Sequence, residues 1–369
     1  MTTEPQSPDQ AAVIAEEARS ATEAATREQR ELTPTERAIA GVEASTPKEA
    51  LTRTLAAEAS AQGPGERGPM VINLGPQHPS THGVLLLITE LDGEVVRDVH
   101  PVIGYLHTGS ERQCENKTYW QAVTCVTRCD YLAPFFNIHA YNLAVEKLLD
   151  IEVPPRAEYI RVMMCELNRI SSHLVWLGTS GLELGAMSVF FYAYREREQV
   201  LDLFEMVAGD RMNTRYFWPG GCAEDLPPQF ERELRRLLDV LPSRIDEYEG
   251  LLSANPIWLE RTKGIGVLPA DELINLGVTG PSLRAASVDL DRRKLSPYSG
   301  YEHFDFQIPV GTNGDSYDRY LMRIREMRES ARILGQAIDG LPEGPHIADD
   351  RKVVLPPREE LSTSMEALI

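Results

Sequence analysis

The chain has 369 residues, 42% of them hydrophobic, which is enough for a substantial core and excludes disorder throughout. Its formal net charge of −19 argues against a nucleic-acid-binding protein, since such a protein would present a basic face. The five cysteines contain no C-x-x-C pair, and their odd number does not favour a disulfide framework.

The N-terminal segment, residues 1–66, is rich in Ala, Glu, Thr and Ser and lacks aromatic residues. Such a composition cannot bury enough apolar surface to offset the entropy lost on folding, so we predict a disordered or partly helical tail. The N-terminus has no signal-peptide pattern, and no apolar run in the chain reaches the ~20 residues of a membrane-spanning helix. We therefore expect any membrane association to be made through partner proteins.

A histidine-containing loop follows, with the sequence LGPQHPSTHG over residues 74–83. Proline fixes its own φ, glycine allows positive φ, and serine and threonine bond the nearby backbone, so this composition predicts a fixed turn. Two apolar runs come next, separated by Asp92-Gly93, which is a strong hairpin signal. His78 and His82 are therefore predicted to lie on a loop that enters a β-hairpin, where a histidine pair can be structural or catalytic.

Helices are predicted for most of the remaining chain. Apolar residues recur at three-four spacing in residues 156–177, which predicts a core helix, and residues 183–207 predict a helix that is apolar on more than one side. Pro242 is expected to divide the stretch 229–252 into two helices, and residues 316–341 predict one long charged helix. The chain stops in what reads as the start of a helix without a glycine cap, so we expect the polypeptide to be incomplete.

Five motifs carry a family resemblance. They are LGPQHPSTHG at 74–83, IGYLHTG at 103–109, RCDYL at 128–132, ELNR at 166–169 and SMEALI at 364–369. Together they closely resemble the D subunit of respiratory complex I, which is the large quinone-site subunit of the proton-pumping NADH:quinone oxidoreductases. This family is related to the large subunit of nickel-iron hydrogenases. The resemblance runs in order from about residue 70 to the last residue.

The resemblance implies an α+β fold of the hydrogenase large-subunit type, with a small N-terminal antiparallel β-sheet packed on a bundle of long α-helices. We divide the chain into a disordered or partly helical tail at 1–66, an antiparallel β region with the HPSTHG loop at 67–112, and a helical bundle domain at 113–369 that we expect to be truncated at its C-terminal end. Family members commonly start just before the hairpin, so the tail is a departure to which the sequence assigns no role.

Tyr131 and His82 are the catalytic residues that the resemblance implies, because the matching residues of the family hold the quinone carbonyls and are the proposed proton donors. Without the resemblance, Tyr131 reads as a packed aromatic residue with a satisfied hydroxyl. Reduction of a quinone takes two electrons and two protons, which requires two separate donors. A phenol, whose pKa of ~10 is raised by burial, stays protonated until the reduced quinone draws the proton away, and an adjacent carboxylate keeps an imidazole cationic.

Three further residues are assigned to the site by the resemblance. His78 and Glu183 are assigned to quinone binding, and Glu183 stands where the family has an aspartate beside the second histidine; the alternative is a solvated glutamate. Arg128 matches a family arginine near the terminal iron-sulfur cluster, where a cation favours the reduced cluster, the alternative being a surface salt bridge. Two positions depart from the family, which has a histidine at Asn213 and an arginine at Trp218.

The resemblance implies that this chain binds no cofactor or metal of its own. The substrate it implies is a quinone, either ubiquinone or menaquinone, and FMN and iron-sulfur clusters are expected on partner subunits. The implied partners are the iron-sulfur subunit that carries the terminal cluster, other peripheral-arm subunits and membrane-arm subunits. The chain itself is expected to lie peripherally on the cytoplasmic side of a bacterial cell membrane. A hydrogenase would need two C-x-x-C pairs, which the sequence lacks. The remaining alternative is a non-catalytic scaffold or truncated paralogue of the same complex.

Overall fold

The computed structural model describes residues 70–78, 81, 83–357 and 359–368. These residues belong to two units, one ending at Leu106 and the other beginning at His107. The predicted tail at 1–66 and the catalytic candidate His82 lie outside the described residues. The domain boundaries placed at residues 66 and 112 stay predictions.

The first unit contains a three-stranded antiparallel sheet in the order β1 (Met70–Leu74), β2 (Leu86–Asp92), β3 (Val95–Val102). The central strand is β2, in which Ile88 pairs with Asn73 on one side and with His100 on the other. Gly93 has a φ of 64° in the two-residue turn between β2 and β3, a conformation that glycine adopts without strain. The predicted hairpin is therefore confirmed.

The second unit is helical. Its α-helices, within the described residues, are α1 (Ser110–Glu115), α2 (Tyr119–Val126), α3 (Pro134–Leu149), α4 (Pro155–Glu183), α5 (Met187–Ala208), α6 (Phe230–Leu252), α7 (Pro256–Thr262), α8 (Ala270–Asn275), α9 (Gly280–Ala285), α10 (Arg292–Leu295), α11 (Ser316–Asp339) and α12 (Met365–Leu368). A two-stranded ribbon, β4 (Phe217–Trp218) and β5 (Gly221–Cys222), lies between α5 and α6.

Four long helices form the core of the helical unit. Helix α4 packs on α5 and α11, and α6 packs on the same two helices, so the four close into a bundle. A helical unit and a small antiparallel sheet agree with the predicted α+β class, whereas the packing of the sheet on the bundle stays a prediction. None of the described helices is both long and apolar enough to cross a lipid bilayer.

Helix α4 confirms the predicted core helix and also corrects its end. The apolar positions predicted for its core face are each at most 1% exposed: Ile160, Met163, Met164, Leu167, Ile170, Leu174 and Leu177. The helix continues to Glu183, so the prediction that Glu183 begins the next helix was wrong. Gly181 lets α5 approach closely, since an added Cβ would lie 3.2 Å from Val189, and the chain turns only at Gly185, whose φ is 91°.

Helix α6 contradicts the prediction that Pro242 divides this stretch into two helices, because α6 is continuous. Pro242 lies on the exposed side of the helix, where water can bind the carbonyl oxygen of Leu238 that lacks its helical N–H donor. The neighbouring residues Leu241 and Ile245, on the face that packs in the bundle, are fully buried. Their packing in the bundle keeps both halves of α6 on one axis.

Candidate functional site

The histidine loop connects β1 to β2. Gly75 has a φ of 92°, and a Cβ at this position would collide with the carbonyl oxygen of Leu85, so the loop requires glycine there. The carbonyl oxygen of His78 accepts hydrogen bonds from the amide of Thr81 at 3.1 Å and from its hydroxyl at 2.8 Å. This is the fixed turn that the composition predicts, and it leaves the His78 side chain exposed.

Tyr131 lies in the turn between α2 and α3. Its side chain is 44% exposed, and within the described part of the chain no group forms a hydrogen bond to its hydroxyl. By contrast, Tyr216, Tyr248 and Tyr301 are buried and their hydroxyls donate to oxygen atoms. Tyr131 is therefore not a packed tyrosine with a satisfied hydroxyl, and the burial expected for a proton donor is not supplied by the described residues.

The turn that carries Tyr131 is held by Asn168 of α4. The Asn168 amide donates from Nδ2 to the carbonyl oxygen of Leu132 at 2.6 Å and accepts at Oδ1 from the amide of Phe135 at 3.1 Å. Asp130 supports the same turn, since its Oδ1 accepts from the amide of Leu132 at 2.9 Å. Because Asn168 is only 1% exposed, the central helix of the bundle fixes the backbone on the C-terminal side of Tyr131.

If Tyr131 donates a proton to quinone, as the family resemblance implies, replacing Asn168 with Ala is expected to slow quinone reduction in the assembled complex by about tenfold, because a reacting group displaced by even 1 Å reacts more slowly. The reason is that both bonds to the turn are lost while the Tyr131 hydroxyl itself remains. The measurement is the quinone reduction rate beside the rate with an artificial electron acceptor. Asn142→Ala is the matched control, because Asn142 is equally buried and has no bond to this turn; equal losses in both variants would contradict a positioning role.

Arg128 and Glu183 each lie at the end of a helix. Arg128, just past α2, is exposed and donates from Nη1 to the carbonyl oxygen of Thr124 at 2.7 Å. Glu183 is exposed at the last residue of α4. Neither side chain has an ion-pair partner among the described residues, so the surface salt bridge considered for Arg128 is absent there. Arg128 and Tyr131 lie on the same segment between α2 and α3, but no described contact joins either of them to Glu183.

Comparisons with known proteins show the family of the chain. The family model of the respiratory-chain NADH dehydrogenase 49 kDa subunit matches residues 183–369. A relative from Chloroflexus aurantiacus, the second D subunit of its NADH-quinone oxidoreductase, is 59% identical over 83% of this chain and 75% of its own length. The chain belongs to this family. Relatives named as D subunits of the same enzyme in Roseiflexus sp. and Geotalea uraniireducens are 57% and 53% identical, covering 83% and 81% of this chain and 74% and 77% of their own.

Trp218, at a position where an arginine is expected in the family, takes part in an aromatic stack. Its ring lies 5.0 Å from that of Trp120, with 30° between the planes. The two indoles line a cleft of about 460 Å³, to which Lys117 and Arg215 bring positive charge. The cleft is therefore lined by two cationic side chains, and Tyr131 is not among its lining residues.

A buried ionic cluster lies at the ELNR motif, to which the sequence analysis assigns no role. The Glu166 carboxylate is fully buried and accepts hydrogen bonds from Arg169 at 3.0 Å, Arg293 at 3.1 Å, and Tyr301 and Ser330 at 2.6 Å each. Burial alone would raise the pKa of Glu166, but the guanidinium groups of Arg169 and Arg293 outweigh it and hold the pKa at about 2. The signal in the sequence is a Glu–Arg pair at i,i+3 between apolar residues of the predicted core helix.

Proposed function

We propose that this chain is the quinone-site subunit of a proton-pumping NADH:quinone oxidoreductase. In this proposal it binds the quinone head group and donates protons while a cluster in a neighbouring iron-sulfur subunit supplies the electrons. The names of the relatives, which are D subunits of NADH-quinone oxidoreductases, support the reaction class. The observation that supports a specific site is that Tyr131 is exposed and its hydroxyl has no described partner, on a turn that Asn168 holds in place.

The proposed chemistry assigns one proton to each end of the quinone. As two electrons arrive, the oxygens of the ring become basic and take a proton from Tyr131 at one end and from His82 at the other. His78, four residues before His82 in the sequence, is proposed to help hold the head group. Glu183 is proposed to stabilise the cationic form of His82, which keeps the imidazole ready to donate.

The electron path is proposed to enter beside Arg128. This side chain is exposed and has no carboxylate partner among the described residues, so its charge is available to a neighbouring molecule. A cation there would favour the reduced form of a nearby iron-sulfur cluster. The cluster and FMN would belong to partner subunits, and this chain is proposed to lie peripherally on the cytoplasmic side of a bacterial cell membrane.

Proton donation leaves charges that the site must rebalance. After both donations the pocket would hold a tyrosinate and a neutral imidazole beside the Glu183 carboxylate. Uncompensated buried charge costs several kcal/mol even after relaxation. We propose that this free energy moves the loops of the site and triggers proton uptake towards the membrane-arm subunits.

Photolabelling of the assembled complex with a quinone that carries an aryl azide on its head group tests the proposal. We expect the label on the peptide that contains Tyr131 and on the peptide that contains His82, because both residues would border the head group. An excess of unmodified quinone should remove the label from both peptides. Competable labelling of the complex that spares both peptides would contradict the proposed site and favour the non-catalytic scaffold.

A further inference from the structure

One buried arginine of the helical unit differs from the others in having no ion pair. Four arginines among the described residues are at most 9% exposed. Three of them bind carboxylates of the chain: Arg161 binds Glu146, Arg284 binds Glu326, and Arg293 binds Asp291 and Glu166. The fourth, Arg197 of α5, forms neither an ion pair nor a hydrogen bond with any described residue. Because a charge removed from water is costly unless it is paired, Arg197 lacks a partner that its burial requires.

The carboxylates next to Arg197 in the sequence are bound to other arginines. Glu196 accepts a hydrogen bond from Arg195 at 2.6 Å, and Glu198 forms an ion pair with Arg211. Burial lowers the pKa of Arg197, and the cation of Arg211 acts in the same direction, but a guanidinium stays charged at neutral pH. The chain therefore supplies a buried cation here and no described carboxylate to bind it.

Aromatic rings lead from Arg197 towards the start of α5. The guanidinium carbon of Arg197 lies 5.4 Å from the centre of the Tyr194 ring, which stacks on Phe190 with 4.3 Å between the ring centres. Phe191 contacts Phe190 edge-on at 5.7 Å and is 63% exposed. Spacings of three and four place Phe191, Tyr194 and Arg197 along one side of the helix. We call Phe190, Phe191 and Tyr194 the aromatic row; it places exposed apolar surface beside the buried cation.

We propose that Arg197 and the aromatic row form a docking site for a neighbouring subunit of the complex, which contributes a carboxylate to Arg197 and an apolar side chain to Phe191. A carboxylate fits because its two oxygens match the planar guanidinium and neutralise its charge. Arginine and aromatic residues are enriched in the cores of protein interfaces. A protein segment fits better than a small anion, because it compensates the cation and also covers Phe191, ~9 Å away along the helix axis.

The inference rests on one part of the proposed function, the assembly of this chain with other subunits. It does not depend on the quinone chemistry proposed for Tyr131 and His82. Photolabelling with a quinone tests that chemistry separately, so the docking site and the quinone site can fail independently of each other.

Zero-length cross-linking of the assembled complex tests the docking site. In the variant Arg197→Lys an amine takes the place of the guanidinium, and a carbodiimide joins an amine, with loss of water, only to a carboxylate in contact with it. Because an acylated lysine resists trypsin, the linked peptide of this chain spans residues 196–211. We expect mass spectrometry to detect this peptide joined to a peptide of another subunit through an aspartate or a glutamate.

Arg195→Lys is the matched control for this reaction. Arg195 lies two residues away and donates to Glu247 of the same chain at 3.0 Å. Its variant should therefore link residues 170–197 to residues 245–261 within the chain. If Arg197→Lys links only to carboxylates of its own chain, or stays unlinked while the control reacts, the docking site is overturned.

The variant Arg197→Met separates docking from folding. Since no described bond to Arg197 is lost, the urea midpoint of the isolated chain should stay the same or rise. In the complex, removing one partner of a buried charge pair should speed dissociation of this chain about thirtyfold, measured as exchange with isotope-labelled chain. Arg211→Met should dissociate at the parent rate, because Arg211 pairs within the chain. A parent-like rate for Arg197→Met would overturn the proposal.

Discussion

Replacement of Tyr131 with Phe is expected to lower quinone reduction by the assembled complex about a hundredfold or more, which is the range that a positioned general acid contributes. The substitution removes only the hydroxyl, and that hydroxyl has no hydrogen-bond partner among the described residues. No described intramolecular bond is therefore lost, and the fold should be unaffected. The measurement is the rate with quinone compared with the rate of electron transfer from NADH to an artificial acceptor, which should not change.

Tyr119→Phe is the matched control for this loss. Tyr119 begins the neighbouring helix α2, and its side chain is 49% exposed, close to the 44% of Tyr131. Loss of its hydroxyl should leave both rates unchanged. If Tyr131→Phe reduces quinone as fast as this control, Tyr131 is ruled out as a proton donor. If the rates with quinone and with the artificial acceptor fall together in Tyr131→Phe, the assembly of the complex is damaged instead.

Local signals were sufficient for much of the fold. The hairpin follows from Asp92-Gly93 between two apolar runs, and the core face of α4 follows from its three-four spacing, because both depend on residues that are close in the sequence. The continuity of α6 across Pro242 and the extension of α4 to Glu183 could not be read in this way. Both are decided by packing in the bundle, which local pattern does not encode.

The candidate site shows the same division between local and distant contacts. The motif around Tyr131 identified the residue. The bonds that hold its turn come from Asn168, which lies 33 positions after Phe135 and 36 positions after Leu132. The cluster at Glu166 reaches 164 positions along the chain to Ser330. Spacing within one sequence does not reveal such pairs. The structure in turn leaves the relation between His82 and Tyr131 as a prediction, because His82 lies outside the described residues.

The ELNR motif links the turn that carries Tyr131 to the ionic cluster inside the helical bundle. Asn168 fixes the turn that presents Tyr131, and two residues earlier Glu166 bonds to groups on α10, on the turn that follows it and on α11. One short segment of α4 therefore connects the candidate site to the bundle on the other side of the helix. Damage at Glu166 is expected to act through the stability of this framework, whereas damage at Asn168 acts on the turn.

Glu166→Gln is accordingly expected to destabilise the chain by about 3–5 kcal/mol, the usual cost of removing one partner from a buried ion pair. The single amide oxygen can still accept from either Tyr301 or Ser330, whose hydroxyls donate to different oxygens of the carboxylate. Arg169 loses the only carboxylate with which it forms an ion pair among the described residues. Urea unfolding followed by circular dichroism measures the change. The control is Glu231→Gln, because Glu231 forms an exposed pair with Arg235 at 2.9 Å, and such pairs contribute about 0–1 kcal/mol.

Glu166→Gln should also weaken the dependence of the free energy of unfolding on pH below about pH 4.5. The pKa of Glu166 is about 2 in the folded chain against a usual 4.5, so its contribution is complete above pH 4.5 and is lost as the pH falls towards 2. A shift of this size corresponds to roughly 3 kcal/mol of linked stability. The parent chain should therefore lose stability more steeply than Glu166→Gln across this window. Identical slopes would show that the carboxylate is not held ionised by Arg169 and Arg293, since only a depressed pKa couples this group to folding.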